Sequence, residues 1–500
     1  MSGALLVAGT HSDAGKSVVV AGICRWLARE GVRVAPFKAQ NMALNSFVTR
    51  EGDEIGRAQA AQAAAAGIEP EAAMNPILLK PSSGGSTQVV VLGKPHATAS
   101  ARGYQRMKPE LLPVVLEALE DLRRRFDAVI CEGAGSPAEI NLREADLANM
   151  GLAQAANLPV VLVGDIDRGG LFASLYGTLA LLSPEDRALV RGFIVNKFRG
   201  DPAVLAPGLA DLSRRTGRPF LGTLPYAPGI GIDGEDSLAL REAGVGEAGG
   251  DVLRVAVVRL GRMSNFTDFD PLLCEPRVAL RFTRSAAEVL AADLAILPGT
   301  KATVEDLSGL REAGLDRALA ARARRNLPTL GICGGYQMLG RRIVDGVEGE
   351  EPEAEGLGLL PVETVFEPEK VLARPSGVAP AFGGVGVSGY EIHHGRTSRF
   401  GGEPLFVSDG AGEGCRVGAV LGTSWHGVLE CDGFRRVLLR WVAEERDLSW
   451  EPGGFSFPAL REERLERLGD LVAGNIDCGA LLRIMEEAGR KEEAGALYPS

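Results

Sequence analysis

The chain is predicted to hold two successive α/β units, the first built on a doubly wound, mostly parallel sheet, and three observations predict this. A glycine-rich loop ending in Gly15-Lys16-Ser17 stands between an apolar strand and a helix-spaced segment. Further short apolar runs follow, each unloading polar residues at the same end and separated from the next by helix-length segments. After a stretch rich in glycine, proline and acids the pattern begins again and leads to Gly331-Ile332-Cys333-Gly334-Gly335, a sharp strand-to-helix turn. The boundaries read as 1–235 for the first unit, 236–250 for a linker, 251–443 for the second unit and 444–500 for a C-terminal helical segment.

In the first unit, Ala4 to Ala8 is a strand and Val18 to Glu30 a helix, with Gly9-Thr10-His11-Ser12-Asp13-Ala14-Gly15-Lys16-Ser17 between them. Glycines let successive backbone N–H groups curl around phosphate oxygens, and the helix N-terminus adds its dipole. Lys16 would reach the terminal phosphates and the Ser17 hydroxyl a Mg²⁺ ion. The ATP-binding candidates are Gly9, Thr10, Asp13, Gly15, Lys16 and Ser17. Five residues rather than the usual four separate the two glycines, a longer loop that resembles the dethiobiotin synthetase-like branch of such proteins. An accidental Gly-Lys-Ser in a tight turn is the bland alternative.

Val32 to Phe37 is the next strand, and it ends at Lys38, Gln40 and Asn41, polar groups where open α/β sheets bind ligands. Glu54 to Ala66 has helical composition. Its leading acids fit either charge–dipole placement or a metal role for Glu54. Met74 to Gly93, with Lys80, is expected to reach the substrate. Ala128 to Cys131 delivers Glu132 at a strand end, the position of a second metal-organising carboxylate beside a phosphate loop. Leu158 to Gly164 and Gly192 to Val195 complete the pattern, the latter ending at Asn196-Lys197, a candidate contact for the nucleotide base.

The stretch from Tyr226 to Asp251 reads as an exit loop and linker. The second unit opens with Val252 to Val258, continues through Leu294 to Leu297 into Pro298-Gly299-Thr300-Lys301, and reaches the strand Pro328 to Ile332. The turn at Cys333 would hold its sulfur above the sheet end, with the Gly334 N–H aimed at whatever carbonyl the sulfur attacks. A structural cysteine in a tight turn is the alternative. A thiol needs a base, and the chain has five histidines, of which His393, His394 and His426 belong to this unit. His426 follows the apolar run Val417 to Leu421, which puts it at a strand end. His393 and His394 lie in a polar, loop-like stretch and stand as alternatives. The last segment, with Leu465, Leu468, Leu471 and Val472 at helical spacing, is expected to pack on the second unit.

The composition, 45% hydrophobic and 24% charged, is that of a globular protein with ample core. A net charge of -11 argues against a nucleic-acid partner and against adhesion to an anionic membrane surface. The seven cysteines are scattered and never form a Cys-x-x-Cys pair, so neither disulfides nor a zinc site is indicated. No apolar run approaches the roughly 18 residues of a membrane span, and Met1 leads directly into a strand without a leader. A cytoplasmic protein is expected.

These stretches together are similar to those of the cobyric acid synthases, glutamine-dependent amidases of cobalamin biosynthesis. The likeness runs nearly the whole length, through GTHSDAGKS, FKAQNMALNSFVT, MNPILLKP, EGAGSPAEINL, GDIDRGG, NKFRGD, RMSNFTDFDPL, LPGTKAT, GICGGYQMLG, GYEIHHG and GTSWHG. It implies an ATP-dependent synthetase unit followed by a class I glutamine amidotransferase unit. The implied reaction is amidation of the b, d, e and g carboxylates of adenosylcobyrinic acid a,c-diamide. Mg²⁺ would accompany ATP on Ser17, Glu132 and Glu54, and no tightly bound cofactor is expected. By the same resemblance Cys333 is the nucleophile and His426 its base, the N–H groups of Gly299 and Gly334 form the oxyanion hole, and Lys38, Gln40, Asn41 and Lys80 meet the corrinoid. Most class I amidotransferases carry a Glu two residues after the histidine. Val428 stands there, so no third member is nominated. Gly261 replaces a usual Pro. The sister enzyme that amidates the a and c carboxylates is the near alternative, and a non-enzymatic ATPase switch, which would have lost the Cys or His, the remote one.

Overall fold

The computed structural model describes residues 3–82, 85–230, 251–348 and 353–496, so the predicted linker 236–250 lies outside the described residues. The first sheet has six strands in the order Phe220–Pro225, Val190–Phe198, Val160–Asp165, Gly3–Gly9, Ala128–Glu132 and Val34–Phe37. Every neighbouring pair is parallel. Gly3–Gly9 and Val160–Asp165 are buried along their whole length, which is why they read as unbroken apolar runs instead of alternating ones. Side chains of one strand still point alternately to two layers. Leu5 and Val7 join the helix Lys16–Arg29, while Ala4, Leu6 and Ala8 join the helix Ala101–Arg125. The strand order reverses beside Gly3–Gly9, and the phosphate-binding loop leaves its C-terminal end at that crevice.

The segment expected to be a helix from Glu54 is divided. Glu54–Gly56 pairs antiparallel with Ser46–Val48, and the helix is Arg57–Ala65. Glu54 therefore lies in extended backbone ahead of the helix and not in its first turn. Lys80 lies on Ile77–Pro81, in a small sheet with Gln40–Met42, Ser86–Val91 and Lys94–Ser100.

The second sheet runs Val278–Thr283, Leu253–Val258, Leu294–Leu297, Thr329–Ile332, Val420–Thr423 and Cys415–Val417; its first five strands are parallel and the last closes a hairpin. A long antiparallel pair, Val362–Ala373 with Glu391–Arg399, packs beside it. His393 and His394 lie on the latter strand and are buried, in place of the exposed loop the sequence suggested.

The C-terminal segment corrects a further expectation. Helices Phe457–Asn475 and Cys478–Ala496 dock chiefly on the first unit, with Leu465, Leu468, Val472 and Met485 in the same apolar layer as Leu5, Val7 and Val19, while the start of the former is tied to the second unit by Arg461 to Glu430 at 2.9 Å. Gly22 makes room for this, since a Cβ there would stand 2.5 Å from Val472 Cγ2. The ion pairs Arg25–Glu466 and Arg29–Asp470, at 2.5 and 2.6 Å, flank the contact. Among the described residues no helix is long and apolar enough to cross a membrane.

Candidate active sites

At the phosphate loop, Gly15 adopts φ 93°, a left-handed conformation that favours glycine. A Cβ on it would also meet Asn196 Nδ2 at 2.0 Å. Asn196 Nδ2 donates to the Ala14 carbonyl at 3.0 Å, so this residue supports the loop from behind. Lys197 Nζ adds a bond to the Asp13 carbonyl at 2.7 Å, and the Asp13 side chain pairs with Arg168 at 3.2 Å. Lys16 Nζ spans the loop mouth, donating to the carbonyls of His11 and Gly135 at 3.1 Å each. The Thr10 hydroxyl is buried there and has no hydrogen-bond partner among the described residues.

Ser17 Oγ donates to Glu132 Oε1 at 2.8 Å, and Lys38 Nζ pairs with the same carboxylate at 2.9 Å. Gln62 Nε2 donates to Glu132 Oε2. Burial alone would raise the Glu132 pKa, but Lys38 and the two donors outweigh it and hold the carboxyl below its ordinary value. A hydroxyl and an ionised carboxylate are hard oxygen donors suited to Mg²⁺, which commonly takes one or two protein ligands and completes its shell with phosphate and water. Among the described residues no group of three or more His, Cys, Asp or Glu is arranged to hold a metal by itself. The donor set thus fits an ion that arrives with phosphates.

Glu54, nominated with that set, is ion-paired in this structure. Its two oxygens accept from Lys80 Nζ and Lys370 Nζ, the latter reaching across from the second unit. Glu54 thus joins the two units by ion pairs, as Lys38 holds Glu132, and a metal at either carboxylate would have to displace a lysine. Lys80 also donates to Ser46 Oγ at 3.0 Å. Asn41 is buried and donates to Gln59 at 2.8 Å; Gln40, half-buried, accepts from the Tyr104 hydroxyl at 2.6 Å. All four residues nominated to meet the substrate, Lys38, Gln40, Asn41 and Lys80, are thus engaged in internal hydrogen bonds or ion pairs.

The thiol site has the geometry its glycines require. Cys333 adopts φ 50°, ψ −111°, a strained conformation for a residue with a side chain. A Cβ on Gly335 would stand 2.1 Å from the Leu297 carbonyl oxygen, and one on Gly331 2.8 Å from the Gly335 oxygen. Gly334 opens the helix Gly334–Leu339, so its N–H belongs to the first turn, where no intrahelical acceptor exists. Gly299 lies flat against the base, since a Cβ there would be 2.7 Å from His426 Cε1.

His426 is fully buried, and its Nδ1 lies 2.7 Å from Asp268 Oδ2. Asp268 Oδ1 accepts from the Gly427 N–H at 2.8 Å. Among the described residues His426 Nε2 has no regular hydrogen-bond partner, and Cys333 stands close enough to the ring to interact with it. Burial would lower the imidazole pKa, but the Asp268 carboxylate and then Cys333 override it and push it up to about 10. A cysteine beside an imidazolium that a buried carboxylate orients is equipped for nucleophilic attack on an amide, with a proton ready for the leaving ammonia. A small cavity beside Cys333 is lined by Lys301, Gln337, Glu348, Lys370 and His393, together with Lys80 of the first unit.

Asp268 is the residue the sequence reading missed. It lies 158 positions from His426, whereas the expected acid was sought two positions away. Its stretch, RMSNFTDFDPL, was singled out, but three acids and amides, Asn265, Asp268 and Asp270, compete there and spacing cannot choose among them. Asp268→Asn keeps shape and removes charge, and should lower kcat for glutamine hydrolysis on the order of 10²-fold or more. It also has a pH signature. A histidine raised from its ordinary 6.5 to about 10 contributes stability that is complete below pH 6.5 and lost as pH rises through 10. In Asp268→Asn that alkaline loss should shrink and the alkaline limb of kcat should move to lower pH, as followed by thermal melts and rate profiles.

Comparison with known families places a CobQ/CobB/MinD/ParA nucleotide binding domain over residues 5–237 and a CobB/CobQ-like glutamine amidotransferase domain over residues 254–434. Among curated relatives, the cobyric acid synthases of Frankia casuarinae and Streptomyces avermitilis are each 58% identical to this chain, with 97% of both chains covered. That of Rhodococcus jostii is 55% identical over 96% of this chain and 94% of its own.

Proposed function

Because the chain belongs to the cobyric acid synthase family, we propose that it amidates the b, d, e and g carboxylates of adenosylcobyrinic acid a,c-diamide, using ATP and glutamine. The observation that carries the reading is the buried Cys333–His426–Asp268 line, facing a cavity that Lys80 of the nucleotide-binding unit helps to wall. A carboxylate and ammonia do not condense in water, so the carboxylate must first become an electrophile. The loop from Gly9 to Ser17 holds ATP with its γ-phosphate beside Lys16, whose ammonium group offsets the charge that grows as a corrinoid carboxylate attacks phosphorus and ADP leaves. Ser17 and Glu132 would hold Mg²⁺ arriving with ATP, and the ion would neutralise phosphate charge. The product of this step is an acyl phosphate.

In the second unit Cys333 attacks the glutamine side-chain carbonyl, the N–H groups of Gly334 and Gly299 hold the oxyanion, and His426 gives its proton to the departing ammonia. Water then releases glutamate from the thioester. Ammonia attacks the acyl phosphate, and amide and inorganic phosphate leave. We place the reaction in the cytoplasm, where ATP and glutamine are supplied together. The test is to supply ATP, Mg²⁺ and glutamine with either adenosylcobyrinic acid a,c-diamide or cobyrinic acid and to follow products by mass spectrometry. Four successive amidations of the diamide are expected. Amidation of cobyrinic acid alone would assign the chain to the sister reaction at the a and c carboxylates.

A further inference from the structure

The catalytic histidine is braced by residues of the other unit. Asp268 sits in a 3₁₀ turn, Phe266–Phe269, that runs into the short helix Asp270–Leu273, a stretch whose first N–H groups need acceptors from outside it. The residue that should cap this turn, Asn265, is left-handed (φ 51°, ψ 39°) and makes no cap of its own. Its Oδ1 accepts instead from the Ser46 N–H of the first unit at 2.8 Å. In return the Phe266 N–H donates to Asn45 Oδ1 of the first unit at 3.1 Å. Both asparagines are buried, so each unit supplies a cap that the other lacks.

The flat side of the imidazole is held from the same stretch. Tyr390 stacks on His426 with ring centroids 5.4 Å apart, and Phe47 packs on Tyr390 at 5.5 Å. The Arg57 guanidinium lies over both Phe47 and Tyr390, and it pairs with Glu430 just past the histidine. The Arg57 N–H donates to the Asn45 carbonyl at 3.1 Å, and this residue opens the helix that carries Gln62 to Glu132. Residues 45–62 therefore touch the histidine's supports at one end and the phosphate-site carboxylate at the other.

We propose that Asn45 is a positioning residue for glutamine hydrolysis: by capping the turn of Asp268 from the neighbouring unit it fixes His426, so the thiol site is fully competent only with the nucleotide-binding unit docked. The proposal rests on the assignment of Cys333, His426 and Asp268 to glutamine hydrolysis, which Cys333→Ser tests separately. Asn45→Ala in the full chain should lower kcat for glutamine hydrolysis roughly tenfold, the size of a lost helix cap, with KM for glutamine nearly unchanged. Amidation driven by ammonium chloride should persist, which also reports that the variant folds. In an Asp268→Asn background the same substitution should add almost no further loss, because both act on one imidazole. Asn265→Gly, which keeps the left-handed backbone and removes the reciprocal cap, should reproduce the fall in kcat. Unchanged kcat in Asn45→Ala, an additive loss in the double variant, or an equal loss with ammonium would each overturn the proposal.

Discussion

Cys333→Ser should abolish glutamine-dependent amidation while leaving amidation with ammonium chloride largely intact. The two side chains are close in size, so the elbow at φ 50° and its contacts survive the change. The chemistry does not. A hydroxyl has a pKa far above that of a thiol, so the imidazole that serves a sulfur cannot activate it, and no γ-glutamyl thioester can form. Loss of a nucleophile costs at least on the order of 10³-fold in such sites. The acyl phosphate is indifferent to the source of ammonia, which is why the synthetase unit should still work at high ammonium. His426→Ala should show the same split. Full glutamine-dependent activity in Cys333→Ser would show that the thiol only fills its turn, and equal loss with both nitrogen sources would show that it holds the fold.

Lys16→Ala should give the converse pattern, with synthesis lost for either nitrogen donor while glutamine hydrolysis survives at least in part. Lys16 Nζ now rests on the carbonyls of His11 and Gly135 across the loop mouth, from which it can turn to phosphate oxygens. Its removal takes a full charge from the place where the transferring phosphoryl group builds negative charge. A single electrostatic contribution of this kind is worth roughly 10²- to 10³-fold in rate. Since the loop itself is held by Asn196 and Lys197 from behind, the fold should not change. Parallel assays of ADP release and glutamate release check the outcome. Normal ADP release in Lys16→Ala would remove this residue from the phosphate site.

The sequence by itself determined the phosphate loop, the cysteine elbow, the strand-end placement of Glu132 and His426, and the two α/β units. These features are local: a few contiguous residues dictate a left-handed glycine, a turn that excludes Cβ atoms, or an apolar run that must be buried. Only the tertiary structure decided what meets what. The apolar stripe of Leu465, Leu468 and Val472 announced a buried face, yet a stripe does not name its partner, and the gap at Gly22 of the first unit received it. Glu54 read as an acid at the head of a helix, and folding brought Lys80 and Lys370 to its two oxygens, one from each unit. The orienting acid was sought beside His426 in the chain and found 158 residues away. A hydrogen bond between side chains depends on separation in space, and chain folding sets that separation without regard to position along the sequence.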